Sequence, residues 1–330
     1  MCIIAKIASI LEGIMEIKRD LYLDKLIARK HNGLIKVVTG IRRCGKSYLL
    51  NTLFYNHLKA YGVSDDHIVK FAFDSADDLL MIGENLIKLE KSKKRVDPEK
   101  FMAYIRSKVV DNQMYYLLLD EVQLLDCFEA VLNGYLRKEN MDVYVTGSNA
   151  KFLSKDIITE FAGRGDEIHM YPLSFAEFMT AYSGDKYTGL SEYMLYGGIP
   201  LVVLRNGANE KSAALQSLFD EIYIRDIEKR NKIRNTGELE DLLNILSSSI
   251  GSLTNPEKLS NTFKTVKKSK ITATTIRKYL GYLEDSFLIE STQRYDIKGR
   301  NYIETPRKYY FSDLGLRNAR INFRQFEQTH

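Results

Sequence analysis

The chain has 330 residues, 45% of them hydrophobic and 28% charged, which excludes a disordered protein and suffices for a sizeable core. Its formal charge is only +5, yet Pro256 to His330 carries 15 Lys or Arg against 8 Asp or Glu, a local net of +7. A basic C-terminal part suggests an anionic partner such as DNA, a lysine-rich solvated surface being the simpler alternative.

In chain order, residues 1–20 read as an N-terminal extension. The apolar opening is interrupted by Lys6 and Glu12, lacks a basic leader and is too short to span a bilayer, while Met15 offers a second start. The expectation is a cytoplasmic protein with no membrane segment. Cys2, Cys44 and Cys127 form neither a disulfide framework nor a CxxC pair, which fits a reducing compartment.

The first strong strand is Leu34 to Thr39, bounded by Gly33 and Gly40. A helical run follows, with Leu49, Leu50, Leu53, Phe54 and Leu58 on one apolar face. Further strands are expected at His67–Asp74, Met114–Leu119, Asp142–Thr146 and Glu167–Met170, with a helix at Phe101–Val109. The charge run over 88–100 reads as a solvated helix end and loop. Strands alternating with helices predict an α/β fold, a parallel sheet with helices on both faces, over residues 21–174. A helical lid or linker is expected over 175–236. Three short helical patterns and two strand-like runs over 237–318 are the order of a winged-helix module, and 319–330 read as a tail.

Chemistry concentrates after the first strand. Gly40-Ile41-Arg42-Arg43-Cys44-Gly45-Lys46-Ser47 fits G-x-x-x-x-G-K-[ST] at every fixed position, in the strand–loop–helix context that motif requires. The glycines let the backbone wrap phosphates, and the helix presents its positive end to the same anion. Gly40, Arg43, Cys44, Gly45, Lys46, Ser47 and Tyr48 are therefore expected to bind ATP. Lys46 reaches the β- and γ-phosphates and Ser47 the Mg²⁺. Cys44 reads as a small filler rather than a nucleophile. The apolar run Tyr115 to Leu119 ends in Asp120-Glu121. Ligands collect at the carboxyl ends of parallel strands, so Asp120 is expected to hold magnesium and Glu121 to polarise the attacking water. The histidines show no ligand spacing, which argues against a metal hydrolase.

The extra strand between these motifs and the glutamate resemble the AAA+ branch of P-loop NTPases. The segments Asp142 to Lys151, Phe161 to Gly165, Tyr171 to Phe178, Tyr196 to Pro200 and Tyr309 to Asn318 are together similar to a prokaryotic AAA+ group related to signalling-type ATPases. That group has a C-terminal domain of unknown function and joins the ATPase core to a winged helix and then to a restriction-endonuclease-like module. The resemblance implies Ser148 or Asn149 as the γ-phosphate sensor and Pro200 against the adenine. It implies Arg164 as an arginine stabilising the transferring phosphoryl group, in cis or from a neighbouring subunit of a homo-oligomer. Members usually continue past Asn318. Here the sequence ends at His330, so a truncated or shortened form is expected, with no spaced acidic pair and lysine from which to read nuclease activity.

In the proposed third helix, Ile276, Leu280, Leu283 and Phe287 form the buried stripe. Arg277 and Lys278 face outward, joined by Lys264, Lys267, Lys268 and Lys270, with Arg294, Lys298 and Arg300 on the wing. This layout could contact DNA phosphates, although a structural or partner-docking role is the favoured expectation. The functional expectation is an ATP-hydrolysing conformational switch. Its alternative is a nucleotide-dependent DNA-binding protein with little hydrolysis.

Overall fold

The computed structural model describes residues 17–148, 164–233, 235–292 and 306–323. They form two compact units. One comprises Asp20–Tyr171 with Lys278–Ile289, and the other Met1–Arg19, Pro172–Arg277 and Glu290–His330.

The first unit holds a five-stranded sheet. Its strands are β1 (Ile35–Thr39), β2 (Ile68–Ala72), β3 (Tyr115–Asp120), β4 (Met141–Gly147) and β5 (Gly165–His169). They lie in the order β2-β3-β4-β1-β5 with every neighbouring pair parallel, the α/β fold expected. Every residue of β3 and β4 is buried, as in a sheet covered on both faces. On one face Val143 and Val145 join a core with Phe101, Ile105, Phe128 and Leu132, which come from helices Pro98–Lys108 and Phe128–Leu136. On the other, Tyr144 meets Phe54, ring centroids 4.5 Å apart. Phe54 ends a π-helical turn, Leu49–Phe54, within the helical run 46–60.

One polar pair sits inside this sheet. The Lys36 ammonium is fully buried and pairs with Asp142, which also accepts from the Tyr144 hydroxyl at 2.7 Å and the His31 amide at 3.0 Å. Burial holds the Lys36 pKa below its usual value, opposed by Asp142.

Two local expectations change. β2 stops at Ala72 because the chain turns, Ser75 N donating to Ala72 O at 3.1 Å. The charge run hides an anchor. Val96 is buried and bridges to the segment after β3, its amide donating to Leu124 O at 2.8 Å and its carbonyl accepting from Asp126 N at 3.0 Å.

The second unit is mainly helical. A capping box opens its helix Phe175–Thr180, Ser174 and Glu177 each accepting from the other's backbone amide. Helices Lys186–Tyr196, Ala208–Ser217, Thr236–Ser248, Pro256–Lys267 and Leu314–Arg320 follow. A small sheet has the order β6 (Leu253–Thr254), β8 (Arg307–Phe311), β7 (Ile289–Thr292). Helix Ala273–Asp285 clusters with this unit through Arg277 and with the first from Lys278. Ile276, Leu280 and Leu283 are buried, and Arg277 and Lys278 are exposed. Phe287 does not continue the stripe: it lies beyond the helix, at a left-handed φ of 57°.

Candidate nucleotide site

β1 delivers Thr39 to the carboxyl edge of the sheet, where the chain turns into the loop 40–47. Gly40 has φ 139°, and a Cβ there would lie 2.0 Å from the Met170 carbonyl oxygen, so any side chain would displace the end of β5. Cys44 is buried and its thiol donates to the same carbonyl at 3.5 Å, the filler role expected. Arg42, Arg43 and Ser47 are exposed, while Tyr48 is half-buried. Lys46 is buried. Its ammonium donates to Gly40 O at 3.0 Å and Ile41 O at 3.1 Å, so the loop closes on its own lysine. A buried cation whose hydrogen-bond partners are carbonyls is suited to an anion, because carbonyl dipoles leave its charge uncancelled.

Register brings the acids alongside. Thr39 pairs with Gly147 on β4, and Leu119 of β3 with Val145. Asp120 therefore ends two strands from the loop, about 10 Å across the sheet. It is buried and accepts from the Thr146 hydroxyl, which in turn accepts from Glu121 N at 3.0 Å. Glu121 has a left-handed φ of 51°, and its carboxylate accepts from Gln123 Nε2 and from Ser148 Oγ at 3.1 Å. Among the described residues no three His, Cys, Asp or Glu side chains cluster as a metal cage. Mg²⁺ is commonly held by one or two carboxylates plus phosphate oxygens and water, so Asp120 with Ser47 is a donor set of the right kind.

Asp74, just past β2, was not singled out in the sequence. Phe73 N donates to Asp120 O at 3.1 Å, which carries Asp74 to the same edge. Burial and then repulsion from Asp120 and Glu121 push its carboxyl above the usual range, with Arg42 opposing. An acid beside Gly, Ser or Asp is too common in sequence to mark itself; only the β2–β3 register reveals it.

The other expected residues separate. Asn149 lies outside the described residues, as do Arg294, Lys298 and Arg300. Ser148 donates to the Glu121 carboxylate. Arg164 is at the wrong end of the sheet for its own loop: its carbonyl accepts from Ile35 N at 2.9 Å, and Ile35 pairs with Gly165. Gly40 is five strand positions away, roughly 16 Å, beyond the reach of an arginine side chain. The cis role is excluded.

Pro200 belongs to the second unit, where half-buried it opens the turn Pro200–Val203. The preceding glycines are fixed by contacts the sequence does not display. Gly198 packs on Leu173, accepting from its amide at 2.7 Å, and a Cβ would meet Leu173 O at 2.1 Å. Its own amide donates to Asp313 Oδ2 at 2.7 Å, and Asp313 Oδ1 accepts from Leu316 N at 3.0 Å. Asn318 completes the join, donating to Met194 O and Leu195 O, each at 2.9 Å. The segments 196–200 and 313–318 are thus one structure, with a buried carboxylate at its centre.

Burial pushes that Asp313 carboxyl from 3.8 up to about 6, only partly offset by the amides of Gly198, Leu316 and Gly315. The fold therefore binds the proton more tightly than the unfolded chain does. Stability is greatest below about pH 4 for this group and falls as pH rises through 6, by about 3 kcal/mol. Asp313→Asn is expected to flatten that part of the thermal-midpoint profile between pH 4 and 6.5. An unchanged slope would assign it elsewhere.

Residues 32–179 match an AAA domain, and residues 187–327 match a domain of unknown function, DUF8612. An uncharacterized protein of Haemophilus influenzae is 36% identical over 313 residues, spanning 92% of this chain and 74% of its own length. Another, from Methanocaldococcus jannaschii, is 28% identical over 323 residues, spanning 93% of this chain and 65% of its own. The fold is similar to that of a Walker-type ATPase of Pyrococcus abyssi, with a TM-score of 0.63, 16% identity and coverage of 93% of this chain and 96% of that one. Among the described residues no helix is long and apolar enough to cross a membrane. With the loop and the Asp120-Glu121 edge in register, and a relative 36% identical that this chain covers over 74% of its length, the chain belongs to the family of that Haemophilus influenzae protein and carries an AAA domain followed by DUF8612.

Proposed function

We propose that this chain binds ATP with Mg²⁺ at the loop 40–47 and hydrolyses it, using the nucleotide state to drive a conformational switch. The carrying observation is Lys46, buried in a loop of carbonyls at the edge where Asp120 and Glu121 also end. Lys46 neutralises the β- and γ-phosphates, and Ser47 and Asp120 hold the metal, which supplies Lewis-acid polarisation of the phosphoryl oxygens. Glu121 orients and polarises the attacking water. Ser148, already bonded to Glu121, and Asn149 read the γ-phosphate. Arg164 serves a neighbouring copy in a homo-oligomer.

The test is linkage. ATP and Mg²⁺ at 100-fold above Kd are expected to stabilise the wild type by about 2.7 kcal/mol. Lys46→Ala is expected to lose that gain in a thermal-shift assay while keeping its ligand-free midpoint within a few degrees. Equal stabilisation of both proteins would remove Lys46 from the site.

For the C-terminal part, the order helix, strand, two helices and two strands, closed by the sheet β6-β8-β7, supports a winged-helix reading. Lys264, Lys267, Lys268, Lys270, Arg277 and Lys278 are exposed. Two of them are engaged within the chain, Lys267 with Asp241 at 3.1 Å and Arg277 with Glu257 at 2.9 Å. Docking of a protein partner is the reading these pairs favour over DNA.

A further inference from the structure

The loop has two sides, and the acids occupy one of them. Asp120, Glu121 and Ser148 stand on β3 and β4, to one side of β1. The metal and the terminal phosphate belong beside those acids, so the rest of a nucleotide must lead away from them. On the other side of β1 lies β5. Its end is set directly against the loop: Thr39 pairs with His169, and Met170 O touches the position a Gly40 Cβ would take.

At that end stand three rings. His169 is edge-on to Tyr171 at 4.6 Å between centroids and 4.8 Å from Phe287. Its Nδ1 is 3.1 Å from the Thr39 hydroxyl, which ties the ring to the last residue before the loop. Burial and the nearby Lys46 charge hold its pKa below the usual value, keeping the ring neutral at pH 7.

Phe287 is the less expected member. It occupies the left-handed position after helix Ala273–Asp285, where Phe287 N donates to Glu284 O at 2.8 Å and Leu288 N to Leu283 O at 3.1 Å. Glycine is the residue that favours such a position, and a bulky side chain there is strained. The fold keeps an aromatic ring at this spot against the backbone's preference.

We propose that His169 and Phe287 form the platform on which the base of the bound nucleotide stacks. The inference rests on the reading of loop 40–47 as the ATP site and deepens it: recognition of the base belongs to the same unit as the phosphate loop, to which Pro200 does not belong. Stacking is tolerant of base identity, so the platform selects for a nucleobase over a bare polyphosphate more than for adenine over guanine.

Inorganic tripolyphosphate and ATP, each with Mg²⁺, separate the two halves of the ligand. Phe287→Gly suits the left-handed backbone and removes only the ring, while Phe287→Tyr keeps a ring. We expect Phe287→Gly and His169→Ala to weaken ATP binding roughly tenfold or more, to leave tripolyphosphate affinity unchanged, and Phe287→Tyr to bind ATP as the wild type does. Equal weakening of both ligands assigns the rings a structural role and overturns the platform, as does unchanged ATP affinity in both variants. A wild type that binds neither ligand overturns the nucleotide reading itself, and the platform with it.

Discussion

Glu121→Gln is expected to bind ATP and Mg²⁺ with wild-type affinity and to hydrolyse ATP 10²–10⁴-fold more slowly, the range typical of losing a general base. The substitution preserves size. The backbone amide still donates to Thr146 Oγ1, and Ser148 Oγ still finds an oxygen acceptor. What disappears is the negative charge proposed to orient and polarise water. Asp120, Lys46 and Ser47 are untouched, so affinity should hold while turnover falls. Phosphate release at saturating ATP, beside an independent binding titration, measures both quantities. A loss smaller than tenfold would show that Glu121 does not polarise the water, and Asp74 at the same edge would become the acid to examine.

The second large effect concerns stability. Lys36→Met is expected to destabilise the first unit by about 3–5 kcal/mol, because it leaves the Asp142 carboxylate buried without its cation. Tyr144 and His31 still donate to that carboxylate, but two neutral donors do not replace an ammonium. The double variant Lys36→Met with Asp142→Asn removes the stranded charge and is expected to regain at least half of the loss. Denaturant unfolding of the wild type, both single variants and the double variant measures the coupling. A double variant no more stable than Lys36→Met alone would mean that packing, not the stranded charge, sets the cost. The pair shows no sign of itself in sequence, where Lys36 looks like the polar interruption of a half-exposed strand.

Much of the first unit was legible because its signals are local. A β-branched run before Gly40, an amphipathic run after Ser47 and the apolar stretch ending in Asp120-Glu121 each declare themselves within about ten residues. All five strands formed near their expected positions, shifted by one or two residues where a turn or a backbone bridge intervened. The phosphate loop is such a signal too, since its chemistry depends on consecutive amides.

What the sequence by itself determined was therefore the parts list of the α/β unit and the candidate groups for a triphosphate site. Tertiary structure alone decided which side chains share an edge, because strand order and register come from pairing between distant segments. Register added Asp74 to the acids and put Arg164 at the far end of β5. It also set His169 against the loop, and a buried carboxylate at Asp313 joined two motifs 115 residues apart. No local periodicity encodes such meetings, since each depends on where a segment far along the chain comes to rest.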